Sequence, residues 1–388
     1  MTRREAGPEV RLERGPLSVV LAATGEITGL IDSRTGADLA GQPGGNGLNA
    51  LVRYLPEPHG PEPGGDFNAA TNLYEGIPVE GEEIVSEPVG TSPIVVEEAG
   101  AEIRATARSD YAGIYERTVE ARLHEDWVEI RNRVTWLQRP AGNEMLYLRF
   151  PFALPAPQVR HAAQYAIVDP QTETLSGSSL DAFAIQDWID LSAGGRGLTI
   201  TSADLPLVEY GGIHLQHFLR RLEVTEDTLA FKLASGRVLP PSGGDPFGQG
   251  ATVEARFAIR PYAGPFDPIA ATRFGEEQVL PLQAQPLPSR QPGHWKEATL
   301  GLIDLQSPTA VLTGLKRAER ADGLVLRLWE STGRRTLVSL AFPHHELLTA
   351  WSLSPIEATI GRLDVRNGRI DFELGPHELK TVRVVLGR

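Results

Sequence analysis

Residues 311–333 read VLTGLKRAERADGLVLRLWESTG, and this stretch decides the fold class of the chain. Two runs of alternating apolar and other side chains flank a polar segment that ends in an Asp-Gly pair, so the sequence predicts a β-hairpin. Because successive side chains of a strand point to opposite faces, the three leucines of the second run share the face that requires a core. The other face carries Arg327 and Trp329, which fit either a carbohydrate-binding surface or the amphipathic outside of a sandwich.

Short apolar runs separated by turn-forming residues recur along the rest of the chain. The 40 glycines and 30 prolines are spread among these runs, a distribution typical of many turns between short strands. Leu17–Ile31 is predicted to form a hairpin, and Ile114–Leu123 is predicted to pair with Trp127–Leu137. In the last run, the alternate positions from Val128 to Trp136 are predicted to face inward. The sequence therefore predicts an all-β chain.

The chain has 388 residues, which is long enough for two domains. No repeat of fixed period is present, so sandwich architecture is favoured over a propeller or a solenoid. The best helix candidate is Asp267–Phe274, which is predicted to end before Gly275. Leu280–Gly293 is rich in prolines and is predicted to run extended. We therefore predict a larger β domain over residues 1–280 and a smaller β-sandwich over residues 281–388.

Composition disfavours several classes of function. The chain has 50 acidic and 37 basic residues and a formal net charge of −13, so we expect no nucleic-acid partner. It has no cysteine, which excludes disulfides, thiolate zinc sites and cysteine nucleophiles. The first residues lack an apolar signal segment, and no later run approaches the length that spans a bilayer. We therefore expect a soluble cytoplasmic protein without a membrane partner.

Histidine and serine clusters give weak signals for catalysis. His214 and His217 have a spacing that suits one face of a helix but tends to place them on opposite faces of a strand. Their context is β-type, so a structural or surface role is favoured over a metal site. The doublet His344-His345 is better explained as a polar turn. Ser178-Ser179 lacks the Gly-x-Ser-x-Gly pattern and the strand-turn-helix context of a serine hydrolase. We assign no metal ligand.

Several segments occur in an order that is found in one known family. They are Asn143–Phe152, Asp169-Pro170, Leu175–Ser179, Gln186–Ser192 and Ala203–Val208, followed by Leu315–Gly333 and Leu353–Thr359. In this order and spacing they resemble the C-terminal β region of glycoside hydrolase family 38 α-mannosidases and related bacterial proteins. The resemblance implies a large antiparallel β supersandwich, similar in fold to galactose mutarotases, followed by a smaller β-sandwich.

In that family, catalysis belongs to an N-terminal α/β domain and a helical bundle, which hold a zinc ion through His and Asp and supply an Asp nucleophile. The resemblance therefore implies a non-catalytic region or subunit with no cofactor of its own, and a catalytic domain that is its partner and carries the zinc. His124-Glu125-Asp126 has the His-x-Asp pattern but lies in a predicted hairpin turn and lacks the surrounding family sequence. A retaining glycosidase needs two carboxyl groups roughly 5–5.5 Å apart, and sequence neighbours such as Asp187 and Asp190 do not establish that arrangement.

Five residues are candidates for binding a mannoside-like carbohydrate. Trp188, Tyr210 and Trp329 offer aromatic faces for sugar rings, and Asp187 and Arg327 offer hydrogen bonds to hydroxyl groups. The alternative is that the aromatic residues fill the core or its edge, and that Arg327 pairs with a glutamate of its hairpin. Two other functions stay open. One is a free-standing carbohydrate-binding module, and the other is an epimerase or lyase that uses His and carboxylates for proton transfer on the mutarotase-like fold.

Overall fold

A computed structural model gives the structure of the protein. It describes residues 2–40, 46–56, 67–68, 73–74, 81–100, 102–112, 114–138, 145–214, 219–224, 228–235, 250–286 and 300–387. Within these ranges the chain forms antiparallel β-sheets and one α-helix. The predicted all-β class is confirmed.

The strands are short and follow one another closely along the chain. In chain order they are β1 Thr2–Ala6, β2 Glu9–Arg14, β3 Leu17–Ala22, β4 Ile27–Asp32, β5 Ala37–Asp38, β6 Ala50–Pro56, β7 Phe67–Asn68, β8 Leu73–Tyr74, β9 Gly81–Val85, β10 Gly90–Thr91, β11 Ile94–Ala99, β12 Glu102–Tyr111, β13 Tyr115–Leu123, β14 Val128–Trp136, β15 Met145–Pro151, β16 Gln158–Ala163, β17 Ala166–Val168, β18 Phe183–Ala184, β19 Trp188–Ala193, β20 Arg196–Ser202, β21 Leu207–Tyr210, β22 Thr228–Ser235, β23 Thr252–Ala263, β24 Asp304–Gln306, β25 Ala310–Arg317, β26 Leu324–Glu330, β27 Thr336–Ala341, β28 Leu347–Leu353, β29 Thr359–Leu363, β30 Val365–Arg366, β31 Arg369–Leu374 and β32 Leu379–Leu386. The helix α1 spans Pro268–Val279.

The first compact unit comprises residues 1–163 and 168–266. Its largest sheet has the order β1-β11-β12-β13-β14-β23-β20-β19-β16, a second sheet has the order β18-β21-β22-β15-β6-β9, and a third has the order β2-β3-β4-β5. One hydrophobic core joins the three sheets, and Val19, Ile130 and Phe150, one from each sheet, are fully buried in it. The predicted large antiparallel system is therefore present as packed layers that share a core.

The hairpin of β13 and β14 shows how the sequence pattern produces this packing. The two strands pair from Tyr115↔Trp136 to Leu123↔Val128, and the alternate positions of β14 that were predicted to face inward are all buried. One of them, Asn132, is polar. Its Oδ1 accepts hydrogen bonds from Nε and Nη2 of the buried Arg117 at 3.2 and 2.7 Å, and its side chain pairs with that of Asn49. The inward polar position is stable because it binds a buried guanidinium.

The second compact unit comprises residues 164–167 and 267–388. Its two sheets have the orders β24-β27-β31-β30 and β25-β26-β32-β28-β29, and buried residues of both, such as Leu326 and Leu340, form one core. This is the predicted smaller β-sandwich. The division between the units precedes helix α1, and the predicted domain boundary at residue 281 lies just after that helix. Residues 281–286 are exposed and lie in no helix or strand, whereas residues 287–293 of the proline-rich segment are outside the described residues.

Helix α1 begins where the sequence predicts and ends later. Asp267 caps it by accepting hydrogen bonds from the backbone N–H groups of Ile269 and Ala270 at 2.9 and 3.1 Å. The predicted end before Gly275 is wrong, since the helix continues to Val279. Phe274 and Gly275 are both buried, so packing outweighs the roughly 1 kcal/mol by which glycine disfavours a helix interior.

The hairpin of residues 311–333 is also confirmed. Strand β25 pairs with β26 from Ala310↔Glu330 to Arg317↔Leu324, with a bulge between Leu312 and Gly314. Gly323 closes the connection with φ +114°, and a Cβ atom at this position would lie 2.1 Å from the carbonyl oxygen of Val384. Glycine is therefore required for both backbone conformation and space.

Candidate functional site

Two of the predicted sugar-stacking residues lie inside the first unit. Trp188 is 0% exposed and its ring contacts Phe266 at a centroid distance of 5.8 Å. Tyr210 is 1% exposed, and its hydroxyl forms a 2.8 Å hydrogen bond with Nδ1 of His161. Burial raises the pKa of Tyr210 well above its ordinary value. Neither ring presents a face to solvent, and this burial favours the core role that the sequence left as the alternative.

The two aspartates beside Trp188 are buried as well. One carboxylate oxygen of Asp187 has no hydrogen-bond partner, and burial raises the pKa of this residue to about 6. The Asp190 carboxylate accepts a 2.8 Å hydrogen bond from the hydroxyl of Tyr262 and lies 3.4 Å from Nη1 of Arg160. Burial raises its pKa to about 7. Asp187 lies in the short connection between β18 and β19, and Asp190 lies on β19.

Trp329 lies in the second unit and is 5% exposed. It contacts Tyr165, which belongs to the same compact unit, in a T-shaped arrangement with ring centroids 5.9 Å apart. The neighbouring Glu330 is fully buried and accepts hydrogen bonds from backbone N–H groups, including those of Gly333 at 2.8 Å and His377 at 3.1 Å. These hydrogen bonds satisfy the carboxylate of Glu330, so this residue has a structural role at the end of the hairpin.

Arg327, one of the five candidate carbohydrate-binding residues, is exposed and lines a groove of about 670 Å³ in the second unit. The groove lies over the five-stranded sheet, between the loop after β25 and the loop after β28, and includes Leu353 and Ile356. Nη2 of Arg327 donates a 3.1 Å hydrogen bond to the carbonyl oxygen of Pro355. The glutamates of the hairpin, which were the alternative partners of Arg327, have other partners: Glu319 forms an ion pair with Lys316, and Glu330 accepts a hydrogen bond from the backbone N–H of Gly333.

Charged side chains of both signs lie in and beside this groove. Nζ of Lys316 lies 2.6 Å from a carboxylate oxygen of Glu319 and 2.6 Å from one of Glu357. The second oxygen of Glu357 accepts a 3.0 Å hydrogen bond from the backbone N–H of Glu319. This N–H and Lys316 hold the pKa of Glu357 below its ordinary value. The guanidinium groups of Arg320, Arg327 and Arg383 line the same groove.

A second titratable cluster, which the sequence analysis did not identify, lies on the six-stranded sheet of the first unit. Glu209 is 2% exposed, accepts a 2.8 Å hydrogen bond from the hydroxyl of Tyr147 and also accepts from the backbone N–H of His214. Burial raises the pKa of Glu209 and lowers that of Lys232, which lies opposite Tyr147 on β22. The available signal was a carboxylate inside the otherwise apolar strand β21. Such a cluster suits proton transfer or a structural network.

His124 and His214, which were considered as metal ligands, contact other groups of the protein. The His124 ring stacks on Trp127 at a centroid distance of 3.6 Å, and Asp126 lies 2.6 Å from Nη2 of Arg260. Nε2 of His214 hydrogen-bonds to the carbonyl oxygen of Tyr210 at 2.8 Å, whereas His217 is outside the described residues. Across the described ranges, no group of three or more His, Asp or Glu side chains could hold a metal ion.

Comparison with known proteins bears on the groove directly. Residues 309–382 match the family model described as "Glycosyl hydrolases family 38 C-terminal beta sandwich domain". The match covers the hairpin of β25 and β26 and both loops that border the groove. A search of curated proteins gives no match.

The fold of this chain also matches part of two larger solved structures. An alpha-mannosidase from Enterococcus faecalis V583 is 14% identical with a TM-score of 0.66, and the match covers 99% of this chain and 43% of that one. A glycosyl hydrolase family 38 protein from Enterococcus faecalis gives 14% identity, a TM-score of 0.67 and coverage of 99% and 44%. The chain thus spans less than half the length of these structures, and the resemblance to the C-terminal β region of family 38 is confirmed. A galactose mutarotase-like protein from Lactobacillus casei matches 66% of this chain with 9% identity and a TM-score of 0.36.

Among the described residues, no helix has the length and the apolar character needed to cross a membrane.

Proposed function

We propose that this chain is a non-catalytic C-terminal region, or a separate subunit, of a family 38 type α-mannosidase. The proposal rests on the match of residues 309–382 to the family 38 C-terminal β-sandwich model. The chain also shares its fold with less than half of an alpha-mannosidase and of a glycosyl hydrolase family 38 protein. In this proposal the partner is a catalytic α/β domain, which holds the zinc ion and performs the hydrolysis. The β units of the chain support that domain.

The catalytic part of this proposal is tested with the purified chain. We expect no hydrolysis of an aryl α-mannoside in the presence of zinc, because the proposal assigns the nucleophile and the metal to the partner domain. A parallel assay with a chelator shows whether any observed turnover depends on zinc. Robust zinc-dependent turnover that active-site titration assigns to this polypeptide would overturn the proposal.

Within this role, the groove beside Arg327 is the proposed carbohydrate contact. It is concave, its volume of about 670 Å³ lies in the range of small-ligand sites, and it combines apolar side chains with a few hydrogen-bonding groups. Calorimetry with mannose oligosaccharides tests the proposal. We expect Arg327→Ala to weaken binding at least tenfold, whereas Arg335→Ala, at an exposed arginine outside the groove, leaves binding unchanged. Absence of binding at millimolar sugar would contradict this assignment.

The Glu209 cluster supports a second candidate function, which is proton transfer of the epimerase or lyase type. Its motivation is a buried carboxyl group with a raised pKa that is hydrogen-bonded to Tyr147 and to the backbone of His214. Exchange of sugar C–H protons with deuterated solvent measures this activity. Exchange that is abolished by Glu209→Gln, with the near-ultraviolet circular dichroism spectrum unchanged, supports the second candidate, and the absence of exchange counts against it.

A further inference from the structure

The groove of the family 38 domain contains more positive charge than its acidic residues neutralise. Glu319 and Glu357 both bind Lys316, so this trio carries one net negative charge. Arg320, Arg327 and Arg383 add three positive charges, because arginine is always protonated in proteins. The balance in the groove is therefore two positive charges, in a chain whose formal net charge is −13.

Strand register brings two of these arginines together. Arg327 on β26 lies opposite Thr381 on β32, and Arg383 is two residues further along β32. Both side chains therefore project from the same face of the sheet, as diagonal neighbours separated by about 7–8 Å, a distance that long side chains can close. Gly314 lies opposite Arg327 on the other side, and a Cβ atom at this glycine would lie 3.7 Å from Cβ and 3.8 Å from Cδ of Arg327.

The two guanidinium groups are held in place and still have unused donors. Nη2 of Arg327 is bound to the carbonyl oxygen of Pro355, which leaves its other donors for a ligand. Cζ of Arg383 lies 4.3 Å from the centroid of the Trp351 ring. Stacking on an indole fixes a guanidinium without neutralising it. Guanidinium groups in such positions bind carboxylate and phosphate oxygens in a bidentate manner.

We propose that this groove binds an anionic saccharide, with Arg327 and Arg383 contacting its carboxylate or phosphate group. The inference rests on the proposed function, in which the groove contacts carbohydrate, and adds that the sugar is charged. A small ligand is favoured over a protein surface because the site is a concavity of about 670 Å³, within the usual range for small-molecule sites. Leu353 and the exposed Ile356 border it and provide apolar contacts for a sugar ring.

Isothermal titration calorimetry at low ionic strength tests this proposal with four probes. They are mannose 6-phosphate, glucuronate, neutral mannose and inorganic phosphate. We expect at least one anionic sugar to bind tenfold or more tightly than mannose, and added salt to weaken that binding. Arg327→Gln and Arg383→Gln should each weaken it at least tenfold. Arg335→Gln, which removes an exposed charge outside the groove, should leave it unchanged.

The possible results separate the two proposals about the groove. Equal binding of mannose and the anionic sugars overturns the anionic specificity and leaves the carbohydrate contact standing. Inorganic phosphate that binds as tightly as mannose 6-phosphate shows an anion site with no saccharide preference and also overturns the inference. Absence of binding by every probe overturns both proposals. If an anionic sugar binds, comparison of glucuronate with mannose 6-phosphate identifies which anionic group the site prefers. Quenching of Trp351 fluorescence, absent in a Trp351→Phe variant, provides a second readout in the folded protein.

Discussion

Replacement of Asn132 by alanine should destabilise the first unit strongly. Oδ1 of Asn132 accepts two hydrogen bonds from Arg117 and one from Asn49, and Nδ2 of Asn132 donates a fourth to Asn49 at 2.9 Å. Alanine removes all four. The two bonds from the guanidinium are charge-assisted and contribute about 1.5–3 kcal/mol each. Arg117 is 1% exposed, so water does not replace them, and we expect a loss of about 3–5 kcal/mol in the free energy of unfolding.

Urea unfolding, monitored by tryptophan fluorescence and circular dichroism, measures this loss. Arg133→Ala provides the matched control on the same strand, because Arg133 is exposed and its ion pair with Glu254 spans 3.8 Å. We expect this control to change stability by less than about 1 kcal/mol. The double variant Arg117→Met, Asn132→Leu removes the charge together with its partner and should be more stable than Asn132→Ala. A loss below about 1 kcal/mol for Asn132→Ala, or a double variant that is no more stable, refutes the reasoning.

Three further predictions concern a turn glycine, a helix cap and a buried carboxyl group. Gly323→Ala should lower the free energy of unfolding of the second unit by more than about 1 kcal/mol, because residue 323 has a positive φ and its new Cβ atom would clash with Val384. An unchanged urea midpoint would contradict this prediction. Asp267→Ala removes the cap of α1 and should destabilise by about 1 kcal/mol, whereas Asp267→Ser should retain most of the stability. Burial raises the pKa of Asp190 from 3.8 to about 7, so its contribution is fully present below about pH 4 and is lost as the pH rises through 7. The free energy of unfolding of Asp190→Asn, measured relative to that of the wild type, should therefore rise by up to about 4 kcal/mol between pH 4 and 8. Urea midpoints of the two proteins that change in parallel across this range would contradict the assignment.

Local pattern was sufficient for strands, faces and the start of the helix. The alternation in Val128–Trp136 predicted the buried face of β14, including its polar member, because a strand has only two faces and a period of two. The Asp-Gly pair at residues 322–323 predicted the end of the hairpin connection. Asp267 predicted the beginning of α1, since a cap depends on neighbours within one helical turn. Each of these features is signalled by residues that are close together in the sequence.

The candidate site depended on contacts that local pattern does not contain. Alternation placed Arg327 and Trp329 on one strand face, but only the folded chain distinguished them, because Tyr165 covers Trp329 while Arg327 lines an open groove. The positive balance of that groove also required the tertiary structure, since Arg383 enters it from a strand more than fifty residues further along the chain.

By itself, the sequence of this protein determined an all-β fold with a smaller C-terminal sandwich, and through its ordered segments the resemblance to family 38. The tertiary structure alone decided that Trp188 and Tyr210 are covered, that Glu209 lies beside Tyr147, and that three arginines share one groove. The physical reason is that periodicity specifies which side chains share a face, whereas burial and electrostatic partnership depend on what the rest of the chain places against that face.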